Sequence, residues 1–157
     1  MKFPSYLALA VLTLAQVVSA APQEKPVEKP AEKKAEPRTL KVKLNYTGTG
    51  TVDSKHPILL FVFDSPDFAQ GSVMPMASKS GTAKDETVVF ADLLTAPVYV
   101  VAAFDPTGNY DGQSGPPPSG ASMGMYYKTP GTAEPIKIEP GETVTIELAF
   151  DDSFKMP

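Results

Sequence analysis

The octapeptide DPTGNYDG, residues 105–112, places an oxygen-bearing side chain at every second position: Asp105, Thr107, Asn109 and Asp111, with Gly112 closing the run. This alternation follows the first half of a D-x-[DN]-x-[DN]-G calcium loop. A hard cation wants about six to eight oxygens, often with a bidentate acid completing the shell. Here the positions where that acid should fall are Pro116, counting from Asp105, and Pro118, counting from Thr107. Asp105, Asn109 and Asp111 are therefore candidate calcium ligands that need acids from elsewhere in the chain, with Asp151 and Asp152 the first to consider. The competing expectation is a polar turn, because Asp and Asn accept bonds from nearby backbone and Gly108 and Gly112 supply positive φ.

Met74-Pro75-Met76 and Met123-Gly124-Met125 form two Met-x-Met pairs. Thioether sulfur is a soft ligand that suits Cu(I). Met74, Met76, Met123 and Met125 are thus candidate copper ligands, with His56 as an available nitrogen. Methionine is equally a flexible gap filler, and spacing alone does not bring the two pairs together. The segment GASMG, residues 120–124, has the G-x-S-x-G form with Ser122 in the nucleophile position. A nucleophile elbow needs a strand before the serine, a helix after it and a histidine later in the chain. Three consecutive prolines precede Ser122, no helical pattern follows it, and the single histidine, His56, comes earlier. Catalytic zinc, whose protein ligands typically include histidine, is disfavoured on the same ground. Tyr110, Tyr126 and Tyr127 flank a proline-stiffened loop. They suit a peptide or glycan surface, or serve as ordinary strand residues.

These groups hang on a chain that reads as strands. Leu40, Val42, Leu44 and Tyr46 alternate with Lys41, Lys43 and Asn45, the period of a half-buried strand. PILLFVF, residues 57–63, and PVYVVAAF, residues 97–104, are continuous apolar runs of strand length. Thr87 to Phe90 is a further strand, and Ile136 and Ile138 alternate about Lys137. Val144, Ile146, Leu148 and Phe150 alternate with Thr145, Glu147 and Ala149, and Pro140-Gly141 before them is a hairpin-type signal. Short strands with turn signals between them predict an all-β chain folded as a single antiparallel β-sandwich, immunoglobulin-like.

The first twenty residues read as a secretory signal: Lys2 in the n-region, an apolar stretch from Leu7 to Val18, and Val18-Ser19-Ala20 as the cleavage site. The apolar stretch falls short of the roughly 20 residues of a spanning helix, so no transmembrane segment is expected after cleavage. Residues 21–38 contain three consecutive Pro-x-Glu-Lys units, and proline at this spacing disrupts helix. They are expected to form a disordered, extended linker. A sandwich domain over residues 39–152 and a tail over 153–157 complete the predicted organisation. Residues 39–157 carry eight basic and fourteen acidic side chains, a net charge of −6. That balance argues against nucleic acid, whose phosphates attract clustered Lys and Arg. The chain has no cysteine, so thiolate metal sites and a Cys nucleophile are excluded. A periplasmic or secreted location is expected.

Val88 to Asp105, VVFADLLTAPVYVVAAFD, resembles the F-x-x-L-x-x-G-x-Y-x-V signature of transthyretin-like, carboxypeptidase-regulatory-like sandwiches. Phe90 and Leu93 match, Ala96 stands where glycine is usual, and Tyr99 comes one residue late. The closing GETVTIELAF, residues 141–150, resembles the last strand of that family. DPTGNYDG resembles, one residue shorter, the D-x-N-x-N-x-x-D loop of small exported sandwich proteins of unknown function. The resemblance implies a prealbumin-like topology in an accessory or binding module. The resulting expectation is a non-enzyme without a cofactor, binding an envelope protein or a glycan. The alternative is a periplasmic protein that handles Cu(I).

Overall fold

The computed structural model describes residues 36–70 and 73–157. The expected signal peptide and most of the expected linker lie outside the described residues. Strand β1, Arg38–Tyr46, carries the predicted alternation, with Leu40, Val42, Leu44 and Tyr46 buried and Lys41 and Lys43 exposed. The remaining strands are β2 (Ile58–Phe63), β3 (Ala77–Gly81), β4 (Thr87–Leu93), β5 (Tyr99–Phe104), β6 (Ser122–Met125) and β7 (Thr143–Phe150). A 3-10 turn, Pro66–Gln70, is the single helical element among the described residues.

The strands form two sheets, one of three strands in the order β4-β1-β7 and one of four in the order β3-β2-β5-β6. All pairings are antiparallel except one. β1 runs parallel to β7, in register from Thr39 opposite Thr143 to Tyr46 opposite Phe150. The inner faces of the two sheets supply the core, in which Leu40, Leu44, Ile58, Leu60, Phe90, Phe104 and Leu148 are among the side chains almost wholly removed from water.

The continuous apolar runs acquire a physical reason in this arrangement. In β2, Ile58, Leu60 and Val62 face the core, while Phe61 and Phe63 face a second cluster on the outside of the four-stranded sheet. β5 divides in the same way, with Val100, Ala102 and Phe104 inward and Val101 and Ala103 outward. The two central strands of this sheet are thus apolar on both faces because both faces are covered.

The Phe90-x-x-Leu93 spacing is unusual for a strand, whose same-face residues are an even number apart. β4 solves it with a bulge. Leu40 pairs with Phe90 but Arg38 pairs with Leu93, and Asp92 takes the left-handed conformation with φ 59°. The extra residue turns Leu93 back toward the core.

The antiparallel pairing of most of the sandwich agrees with expectation, and three details differ. Ile136 makes an isolated bridge to Val98 and does not form a hairpin with β7. Two edge strands, β3 and β6, were not expected at all. Beyond what the spacing indicates, the tail over 153–157 lies against the sandwich, where Lys155 bridges to Ser122 at the start of β6.

Candidate functional site

The DPTGNYDG loop leaves the end of β5, and Asp105, 6 % exposed, is buried at its root. Its Oδ1 accepts the Thr107 amide at 2.9 Å, and its Oδ2 accepts the amides of Asn109 at 3.0 Å and Tyr110 at 3.1 Å. The Thr107 hydroxyl lies 2.8 and 2.7 Å from the two oxygens. Burial alone would raise the Asp105 pKa, but the bonds from Thr107, Asn109 and Tyr110 outweigh it and hold the carboxyl below its ordinary value. Asp111 folds onto its own set of donors, the amides of Gln113 and Ser114 and the Ser114 hydroxyl. The Asn109 amide group donates to the Thr107 hydroxyl at 3.1 Å. The carboxylates of Asp105 and Asp111 are therefore engaged in local turn bonds, and Asn109 is held through its amide nitrogen. A calcium ion drawing on both carboxylates of this loop would have to displace amide and hydroxyl donors.

The far side of this loop lies on the outer face of the four-stranded sheet. The Tyr110 ring sits 6.3 Å from that of Phe61, and its hydroxyl donates to the Gly115 carbonyl at 2.9 Å. At Gly112, with φ 75°, a Cβ would lie 3.2 Å from both Leu59 and Phe61. Glycine thus lets the loop backbone approach the sheet directly. At the other end of the same face, Phe68 from the 3-10 turn stacks on Phe63 at 4.9 Å. Tyr99, Met123 and Met125 lie partly exposed on this face. Two shallow cavities flank the loop. One of about 190 Å³ lies over Leu59 and Phe61, between Ser78 and Ser80 on one side and Asp111 and Gly112 on the other. The second, about 310 Å³, is lined by Thr107, Asn109, Tyr110, Ser114, Pro116 and Pro118.

The methionine pairs fall at opposite edges of this sheet. Met76 immediately precedes β3, with its amide bonded to the Val62 carbonyl, whereas Met123 and Met125 belong to β6. With β2 and β5 between those edges, the separation is three strand spacings, roughly 14 Å. Met74 and Met76 are exposed, and the Thr95 hydroxyl lies 3.5 Å from the Met76 sulfur. Met123 and Met125 pack against the outer apolar cluster. The four sulfurs do not form one group.

His56 packs locally as well. Its Nδ1 lies 3.0 Å from Asp53, and its ring lies beside Gly108, where a Cβ would come within 2.9 Å of Cδ2. Asp53 accepts the amides of His56 and Lys55, which hold its carboxyl below the usual value. Ser122 is buried and donates its hydroxyl to Asp152 at 2.7 Å.

That last bond belongs to a polar node that the spacing of residues does not reveal. Asp152 Oδ1 accepts the Tyr46 hydroxyl at 2.6 Å as well as Ser122, and Oδ2 accepts the amide and hydroxyl of Thr49 at 2.8 and 2.9 Å. The hydrogen bonds from Tyr46, Thr49 and Ser122 hold Asp152 well below the usual carboxylate range. Burial, with the bond to Asp152, pushes the Tyr46 phenol up to about 12. The Tyr46 ring lies 5.0 Å from Phe104 and 4.8 Å from Phe150, and the Lys84 ammonium sits 5.2 Å over it. Asp152 was a candidate for completing a cation shell, but its oxygens instead join the end of β1, the loop after it, and the start of β6. Asp151 turns outward and accepts the Ser153 amide. Among the described residues no group of three or more His, Cys, Asp or Glu side chains is placed to hold a metal ion, and no helix is long and apolar enough to cross a membrane.

No known protein family, curated protein or solved structure matches the chain.

Proposed function

We propose that this chain is an exported, non-catalytic β-sandwich of transthyretin-like type that acts as a binding or structural module of the cell envelope. The observation that carries this reading is the second apolar face. A sheet on the outside of a sandwich ordinarily alternates apolar-in with polar-out, and the three-stranded sheet does so, with Lys41, Lys43, Thr145 and Glu147 outward. The four-stranded sheet instead presents Leu59, Phe61, Phe63, Val101 and Met123 outward, with Tyr99 beside them. Phe61, Phe63 and Val101 are buried beneath the 3-10 turn and the loop at 105–112, while Leu59, Tyr99, Tyr110, Met123 and Met125 stay partly exposed around them. Apolar side chains left partly exposed together on one sheet face suit an interaction site. The groups whose types could carry chemistry are bound up in structure: Ser122 in the Asp152 node, Asp105 and Asp111 in their own turns. The bulge that seats Phe90 and Leu93, together with the strand closing at Phe150, supports the transthyretin-like reading.

The test is retention of an envelope component from detergent extract by the immobilised protein, compared with Leu59→Glu and Met123→Glu variants whose folding is checked by thermal melting. The reading expects a component held by the wild type and lost with at least one variant. Retention of the same set by all three proteins, or of nothing, would overturn it. The copper reading ranks below it, since nothing in the placement of the four methionines favours a shared ion.

A further inference from the structure

The 190 Å³ groove beside β3 is too small for a drug-sized ligand, which takes about 300–1,000 Å³, and is scaled to a single side chain. Its floor is apolar, Leu59 and Phe61, and its rim carries the carboxylate of Asp111. One long wall is β3, which is hydrogen-bonded to β2 alone. The two edges of this sheet are treated differently. At the start of the β6 edge the chain's own tail is laid alongside: the Met123 amide donates to the Phe154 carbonyl and the Met156 amide to that of Ala121, each at 2.9 Å. β3 has no such cover, and Ser78, Lys79 and Ser80 are all exposed. Lys79 lines the β3 wall of the groove, but its ammonium crosses to the other sheet and donates to the Val89 carbonyl at 2.7 Å.

We propose that β3 and this groove together receive an extended peptide bearing a lysine or arginine. The peptide backbone adds as a strand to the open edge of β3. The aliphatic stem of its basic residue lies on Leu59 and Phe61, and the cationic head reaches Asp111 Oδ2, which accepts the Ser114 hydroxyl while the two amides go to Oδ1. Strand addition supplies main-chain bonds while a side-chain pocket supplies selectivity. Long basic side chains suit a pocket with an apolar floor and a charged rim. The charge of the folded residues, eight basic against fourteen acidic, favours a cationic partner over an anionic one. The inference rests on the binding-module reading and names the partner chemistry of one part of its surface.

The test is an NMR titration of the purified, nitrogen-15-labelled protein with the probe peptide acetyl-Thr-Val-Lys-Val-Thr-amide. Saturable shifts are expected at the amides of Ser78, Ser80 and Gly112, with affinity lowered about two- to fivefold by Asp111→Asn, the range for an exposed ion pair. A peptide with Glu in place of Lys, and one N-methylated on the amides that would face β3, should leave those resonances unmoved. Absence of saturable shifts at millimolar peptide, or equal binding by the Glu or the N-methylated peptide, would overturn the proposal whatever Asp111→Asn does. If the peptide fails while an envelope component is still lost with Met123→Glu, the groove assignment falls and the module reading stands.

Discussion

The Tyr46 hydroxyl donates to the Asp152 carboxylate over 2.6 Å, and this bond joins the end of the first strand to the residues just beyond the last. Hydrogen bonds to a charged acceptor contribute about 1.5–3 kcal/mol each. Asp152→Asn and Tyr46→Phe should each lower unfolding free energy by an amount in that range. Because the two groups touch, their effects should fall short of additive, and a double-mutant cycle in urea measures the shortfall. Strict additivity would show that the bond does not hold in solution.

The same pair sets a pH window. Asp152 is depressed, so its contribution is complete above the unfolded carboxylate value and is lost as pH falls through the folded one. Tyr46 is raised from 10.0 to about 12, so its contribution is complete below the unfolded value and is lost as pH rises through the folded one. The stability difference between wild type and the Tyr46→Phe/Asp152→Asn double variant should be constant from roughly pH 5 to 9 and narrow on both flanks. Denaturant melts across that range provide the check. A difference that grows toward acid would contradict the assignment.

At the β4 bulge, Asp92 sits at φ 59° with its side chain in solvent. A β-branched residue in the left-handed region costs about 1–2 kcal/mol, whereas glycine is at ease there. Asp92→Val should therefore destabilise by that amount and Asp92→Gly by far less. Equal losses would mean that the bulge relaxes.

Gly124 lies opposite Phe150 across the sandwich edge, and a Cβ there would fall 2.5 Å from the Phe150 Cβ. That neighbour is close to its own backbone and cannot swing away. Gly124→Ala should cost about 1–3 kcal/mol, as overpacking does, with the melting temperature as readout. No change would indicate that β6 can shift outward.

For the loop at Asp105, the bonds already made lead to an expectation about cations. Millimolar Ca²⁺ and EDTA should leave the melting temperature unmoved, while Asp105→Asn, which turns one of the two accepting oxygens into a donor facing backbone amides, should lower it. A calcium-dependent rise would reassign the loop to a metal, since binding to the native state alone stabilises it. The corresponding experiment for the methionines is competition with a Cu(I) chelator. Replacing Met74 and Met76 by Leu should not alter whatever affinity Met123 and Met125 display, because the two pairs occupy opposite sheet edges.

Much of the fold is legible in the sequence where one residue type repeats over a whole strand. Lys41 and Lys43 between Leu40, Val42 and Leu44 declare β1, and the unbroken runs at 57–63 and 97–104 declare the sheet centre. β3, ASKSG, and β6, SMGM, leave no such trace. They are short edge strands, β3 bonded to β2 alone and β6 flanked on its outer side only by the tail, and do not need two apolar faces. The Phe90-x-x-Leu93 spacing was visible, but the bulge behind it depends on Arg38, more than fifty residues away. The DPTGNYDG loop was legible as a choice between ligand set and turn, and its bonds lie within a few residues. The Asp152 node was not, because Tyr46, Thr49 and Ser122 meet it only through tertiary contact.

The parallel pairing of β1 with β7 bears on when the molecule can fold. β1 is the middle strand of its sheet, and one of its two neighbours is the strand that ends at Phe150. A chain emerging amino end first leaves β1 with one flank bare until β7, about a hundred residues later, has appeared. Contacts so distant in sequence form slowly. Closure of the three-stranded sheet thereby waits on β7, and synthesis of the first strand and its final pairing are separated in time.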